Sequence, residues 1–278
     1  MHFRFFRISI FFVLLIGLCS WGEKAHRKIN SSVAGFLPKE MQNLNGWTAV
    51  LTEHSTDADQ KKKTDKTEFV KHFIDIDNYD DFIKTGRIEE NIEMAFRKYG
   101  KEKVKKEGTL PWASDSTYRA LVLNFKSGDW NRAALTAADL GHYVGDGHMP
   151  LHIAANYDGQ KTNQKGIHRR YEETMIDRHI EEIQFDFSTC RKVSKVQPFV
   201  FKYLYFNHAY IDRLLKADSL ANNLAGKQYN EVYYQSLWEN SKSFTVKLLE
   251  ESSKTTAALI YSAWIEAGKP KIPAIFEK

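Results

Sequence analysis

The twelve residues GHYVGDGHMPLH, Gly141 to His152, gather three histidines and an aspartate. His142 and Asp146 stand four apart, a spacing that a helix places on one face. Pro150 then closes the helix, and His152 returns from the turn. Sixteen residues further on, HRRYE repeats the device with His168 and Glu172, again four apart. Imidazole nitrogen and carboxylate oxygen are together good zinc donors. One such pair alone is explained as well by a surface ion pair or a hydrogen-bonded core histidine. Two pairs flanking His152, with His72 and the upstream acids of DADQ, point to metal. His148 falls outside this set and is expected to orient a ligand. His54, His179 and His208 have no partner at a spacing that makes a site.

A further donor lies near the start of the chain, in GLCSWGEKAHRKI (Gly17 to Ile29). Residues 1–20 combine a basic start (Arg4, Arg7), an apolar core from Ile8 to Leu18 and modest residues up to Ser20, the pattern of a secretory signal peptide. The apolar run is shorter than the roughly 20 residues of a membrane span. Cleavage at Ser20–Trp21 would free an α-amine with a pKa near 8, which zinc deprotonates readily, whereas a backbone amide is a poor donor. The new terminus would stand five residues from His26. The protein is therefore expected to be secreted or periplasmic, with residues 21–278 as one mature domain.

The elements that must hold these groups read as helices. Apolar residues recur at three- and four-residue spacing in Tyr118–Phe125, Ala133–Val144, Tyr171–Ile183 and Val232–Ile265. Asp129 and Asn131 are N-cap candidates, Pro111 and Pro150 boundaries. HFIDID, His72–Asp77, is the best alternating run, but it has no hairpin partner. The Gly-bracketed Tyr157–Gly166 reads as an exposed loop and Lys61–Lys63 as a solvated face. The expectation is an all-α, single-domain helical bundle. Net formal charge is +5, or +3 without the leader's two arginines, too even to argue for nucleic acid or an acidic membrane. Cys19 leaves with the leader and Cys190 stands alone, so an exported chain has no intramolecular disulfide and must rely on its core or on metal.

These motifs resemble the zinc-dependent phospholipase C and single-strand-specific zinc nuclease superfamily, whose helical members hold three zinc ions. WGEKAH at Trp21, DAD at Asp57–Asp59, KHFIDID, GTLPWA (Gly108–Ala113), GHYVGDGHMPLH and HRRYEE carry the resemblance, over Trp21 to Glu173. It implies one zinc on the Trp21 amine and carbonyl with His26, and a second on Asp57, His72 and His142. Asp146 would bridge these two ions, and His152, His168 and Glu172 would hold the third. Asp57 fits the family's distance to His72 better, with Asp59 the alternative. Asp57 is also the expected catalytic group, orienting the attacking water. In the nucleases an Arg follows the acidic ligand by three residues. Here that place is Gln60, leaving Lys61 or Lys62 to supply a cation.

Three dications facing three carboxylates leave roughly +3 of uncompensated charge, suited to a phosphate ester. A water shared by paired ions would give the hydroxide that attacks phosphorus. The expected activity is thus a phosphodiester hydrolase. Glu172, the short His152–His168 gap and the lack of paired cysteines resemble the phospholipase branch, which is the expectation. The His five residues after Trp21 resembles the nucleases, so single-stranded nucleic acid is the alternative substrate to a phospholipid headgroup. Peripheral membrane contact is compatible with the former, and no protein partner is expected. A non-catalytic zinc-binding exported protein is the remaining alternative.

Overall fold

The computed structural model describes residues 22–273; the expected signal peptide and Trp21 lie outside the described residues. The fold is all-α, with no strand among the described residues. In chain order the helices are α1 (Glu23–Phe36), α2 (Trp47–Glu53), α3 (Asp57–Lys61), α4 (Asp80–Thr85), α5 (Ile92–Tyr99) and α6 (Lys101–Lys106). Then come α7 (Leu110–Ser127), α8 (Trp130–Asp146), α9 (Ile167–Arg169), α10 (Ile176–His179), α11 (Val196–His208), α12 (Tyr210–Leu224) and α13 (Glu231–Glu266). A π-helical segment, Arg170–Met175, joins α9 to α10.

The 36-residue α13 is the spine, with α1, α7, α8 and α12 packed against it. Its C-terminal half is buried on nearly every side, from Ser252 to Trp264. Such burial suits small and hydroxylated residues: Ser252, Ser253 and Thr256 alternate with Ala257, Leu259 and Ile260, and Thr256 returns its hydroxyl proton to the Ser252 carbonyl. On α8 the buried alanines 133, 134, 137 and 138 present little side chain, so its neighbours approach closely. Around these helices the aromatic and branched side chains Phe36, Trp47, Phe125, Tyr171 and Trp238 are almost wholly withdrawn from water. Each contributes about 1.5–3 kcal/mol of transfer free energy.

The apolar periodicities over Tyr118–Phe125, Ala133–Val144 and Val232–Ile265 all lie within regular helices, α7, α8 and α13. Asp129 caps α8, its carboxylate accepting from the Arg132 amide at 3.0 Å, while Asn131 falls inside the helix. Pro111 sits in the first turn of α7, where its missing N–H leaves no bond unmade. Tyr171–Ile183 is less regular than its pattern, passing from π-helix to α10 to a 3₁₀ turn at Ile180–Glu182. HFIDID forms no strand: Phe69–His72 and Ile76–Asn78 are 3₁₀ turns. Between them the Ile74 amide donates to the His152 carbonyl (2.8 Å) and that of Asp75 to the Glu107 carbonyl (2.7 Å). These bonds tie His72 to His152. Gly108, at φ +92°, permits the crossing, because a Cβ there would lie 2.1 Å from the Phe73 carbonyl oxygen.

Helices α1 and α8 meet at two glycines of the GHYVGDGH run. A Cβ on Gly141 would stand 2.0 Å from Asn30 Oδ1, and one on Gly145 would stand 3.0 Å from His26 Cε1. Asn30 holds the crossing, donating through Nδ2 to the carbonyls of Leu51 (3.1 Å) and Ala138 (3.3 Å). Gly141→Ala is expected to lose about 1–3 kcal/mol of stability by overpacking, despite alanine's better helix propensity. A urea denaturation midpoint equal to or above that of the parent would contradict this packing account.

Candidate metal centre

Two helices bring the first group together. His26 lies on the buried stripe of α1 with Ala25, Ile29 and Val33, and His142 and Asp146 end the buried face of α8. The two imidazoles stack with ring centres 3.9 Å apart. Asp146 Oδ1 is 3.6 Å from His26 Nε2, and its Oδ2 is 3.4 Å from His142 Nε2. All three side chains are fully buried. The chain enters this region at Gly22, whose amide donates to the Glu172 carbonyl at 3.4 Å. Trp21 lies outside the described residues.

The second group joins α3, the Phe69–His72 turn and α8. Its carboxylate is Asp59 and not the expected Asp57: Asp59 Oδ1 lies 3.5 Å from His142 Nε2 and 3.6 Å from His72 Nδ1. Asp57 is 45 % exposed and accepts from His54 Nδ1 at 2.7 Å. Two positions along a helix differ by about 200° in azimuth, so only one of the two acids can face inward. Asp57, the expected water-orienting group, thus lies apart from His72 and His142. His72 also approaches Asp146 Oδ2 at 3.0 Å, so the two oxygens of Asp146 serve different neighbours, the orientation a bridging carboxylate needs.

The third group is His152, His168 and Glu172. Glu172 Oε2 is 3.2 Å from His168 Nε2 and 3.4 Å from His152 Nε2. Both Glu172 oxygens and His152 Nε2 are buried without a hydrogen-bond partner. A buried carboxylate left so is costly unless a cation completes it. Within each of the three groups the donor atoms lie within 4.8 Å of one another, so each could hold a metal ion.

The surrounding backbone fixes the rings in the sense that metal ligation requires. The Nδ1–H groups of His142, His152 and His168 donate to the carbonyls of Ser55 (2.8 Å), His72 (2.7 Å) and Tyr157 (3.0 Å). That sets each tautomer and turns Nε2 inward. His72 is turned the other way: its Nδ1 faces the group and its Nε2 lies 3.4 Å from Glu68. Glu68, only 2 % exposed, also receives the Tyr143 hydroxyl and Lys71. Glu68 is not among the expected site residues, although it stands four before His72, the spacing of the two expected His/carboxylate pairs.

Without metal the centre stores protons unevenly. Burial disfavours a charge on His142, but the carboxylates of Asp146 and Asp59 outweigh it and lift its pKa to about 9. Burial, reinforced by the neighbouring His142, brings His26 down to about 4. Burial would raise Asp146 and Glu68. The histidines around Asp146 instead hold it well below the ordinary range, and His72, Lys71 and Tyr143 bring Glu68 down to about 2. A metal entering the first two groups therefore has to displace the His142 proton.

Beside the second and third groups opens a cleft of ≈ 230 Å³. Phe69, Phe73 and Tyr157 give it aromatic walls, and Lys62 and Lys106 bring two ammonium groups. Lys62 is half-buried and pairs with Asp59 at 2.6 Å, so the Lys61–Lys63 run is more than a solvated face. Asp75 also lines the cleft; burial, then Glu107 and Asp77, push its carboxyl up to about 7. His148 stands outside the three groups: its Nδ1–H donates to the Val144 carbonyl and its ring stacks on Tyr203. His179 stacks on Trp238 and His208 meets the edge of Phe82, both outside the three groups.

No protein-family model matches the chain, and no curated protein does. Asp59→Asn is expected to lower the metal content of the purified protein, with Asp57→Asn leaving it unchanged, as read by elemental analysis. Metal uptake in weak buffer should release protons, and affinity should climb as the pH rises toward about 9, because the His142 proton competes with the metal below that value. Affinity independent of pH would contradict this proton count.

Proposed function

We propose that the chain is a zinc-dependent phosphodiesterase, exported and cleaved at Ser20–Trp21, with a nucleic-acid-type polyanion as substrate. The observation that carries the reading is the convergence of three His/carboxylate groups, linked through His142 and Asp146, with His72, His152 and His168 lining an aromatic and basic cleft. The all-nitrogen-and-oxygen donor set suits zinc. Zinc so held supplies Lewis acidity, polarising a phosphoryl oxygen and lowering the pKa of water at the site.

The protein's own residues account for the rest. Asp59, at the edge of the second group, takes the water-orienting role. Three residues after it stands Lys62, the place where the nucleases of the resembled superfamily carry Arg, and Lys62 faces the same cleft. Lys62, which pairs with Asp59 at 2.6 Å, would offer its ammonium to a phosphate oxygen as a point charge rather than a bidentate clamp. Lys106 adds a second cation to the cleft wall. Two ammonium groups repel a quaternary-ammonium headgroup and attract a further phosphate, which supports nucleic acid over the choline-type lipid. Phe69, Phe73 and Tyr157 offer faces for a base.

The purified mature protein should hydrolyse bis(p-nitrophenyl) phosphate with zinc and stop with chelator. His142→Ala or His168→Ala should lower kcat by more than about a hundredfold, the upper end of what losing mere support of a ligand costs. Lys62→Ala should lower it about tenfold, the scale of one charge-assisted hydrogen bond, with Lys62→Arg largely restoring it. Supplied side by side, single-stranded DNA should be preferred to phosphatidylcholine by more than tenfold; the opposite preference would return the protein to the phospholipase reading. Mass spectrometry of the exported protein should find Trp21 first, and any other start removes the amine donor from the scheme.

A further inference from the structure

Away from the three metal groups, α11 and α13 form the sides of an open trough of ≈ 670 Å³. Lys195, Pro198, Phe199 and Lys202 face it from α11 and its N-cap, at positions i, i+3, i+4 and i+7. Glu251, Lys254, Thr255 and Ala258 face it from α13 with the same spacing. The third wall is Ser188–Ser194, a stretch without helix that brings Arg191 and Lys192. That wall is fixed: the Cys190 amide donates to the Phe36 carbonyl and the Val193 amide to Ser262 Oγ, both at 2.8 Å.

Five basic side chains thus border one trough with a single carboxylate, Glu251. None of the five is paired with a carboxylate among the described residues. Helix α11, 13 residues long, begins at this trough without a side-chain cap, so its first amides add partial positive charge to the same place. Like charges gathered on a fixed wall, five against the single Glu251, repel one another, and a bound polyanion relieves that repulsion. The trough is concave, and Lys254 is half-buried on the α13 side. A planar lipid surface would meet the rim and miss Lys254, whereas a flexible chain of phosphates can follow the trough. Half-buried Phe199 and exposed Pro198 give that chain apolar contact between the cations.

We propose that this trough is a second, non-catalytic groove that binds the sugar–phosphate backbone of single-stranded nucleic acid. The choice of nucleic acid among phosphate polyanions rests on the reading of the metal centre given above; the cationic trough does not. Long strands would be held at two places, and a dinucleotide only at the metal cleft.

The test is fluorescence anisotropy with a labelled 20-mer of deoxythymidylate across a salt series. The mature full-length protein would carry His168→Ala, so that hydrolysis does not interfere. Lys192→Gln, Lys195→Gln and Lys202→Gln, all at exposed positions, are combined, with the matching triple Arg variant as the rescue. The Gln variant should bind the 20-mer at least about tenfold more weakly, with the logarithmic salt slope reduced by about 2 for three lost phosphate contacts; the Arg variant should restore both. In the protein with His168 intact, the Gln changes should raise KM for the 20-mer and leave turnover of the dinucleotide as it was. Unchanged 20-mer affinity and slope would overturn the proposal. So would unchanged 20-mer binding with lost binding to phosphatidylserine vesicles, which would make the trough a membrane contact. Binding lost in the Gln variant of a protein that hydrolyses no phosphodiester would uphold the trough and overturn the catalytic reading.

Discussion

Asp146 is a carboxylate with no exposed surface, and its two oxygens look in different directions, one toward His26 and His152, the other toward His72 and His142. An ionised group so placed is tolerable only if positive charge surrounds it. In the metal-free protein a proton on His142 supplies part of that charge. Metal ions could supply more, and could also meet the Glu172 carboxylate oxygens, which have no hydrogen bond among the described residues and lie near the rings of His152 and His168. Much of the chain is arranged so that this costly burial stays within reach of its compensation.

The arrangement explains features that would be odd in an ordinary bundle. Glycines at 141 and 145 let α1 lie against α8, which sets His26 flat on His142. The irregular crossing near Gly108 ties the strand-like residues after His72 to the carbonyl of His152, coupling the second group to the third through backbone bonds. The π-helical segment after α9 carries Glu172 between two imidazoles, a departure from regular winding that falls at the site and not in the spine. The buried bulk of the fold lies along α13 and the helices packed on it, and two of these, α1 and α8, also carry the first group.

Charge is distributed with similar economy. A net formal charge of +5 over 278 residues looks unremarkable. Folding concentrates it: two lysines reach the cleft beside the metal groups, and five cations converge on the trough between α11 and α13. Four of the trough's five cations stand within Arg191–Lys202, and folding brings Lys254 to them from α13.

The helical class and most of the metal-group residues were legible in the chain itself, because helix periodicity is a local property. Pairs four apart, His142 with Asp146 and His168 with Glu172, share a helix face wherever that helix goes. Local pattern could not choose between Asp57 and Asp59, since azimuth decides which acid faces inward and only the docking of α3 against α8 fixes azimuth. Glu68 was overlooked because its place behind His72 depends on Tyr143, which lies on another helix. Expectations for the leader and Trp21 concern residues beyond those described. The sequence by itself determined helices and donor pairs through short-range geometry; tertiary packing decided which acids meet which imidazoles and where the cations gather, because those encounters join segments far apart in the chain.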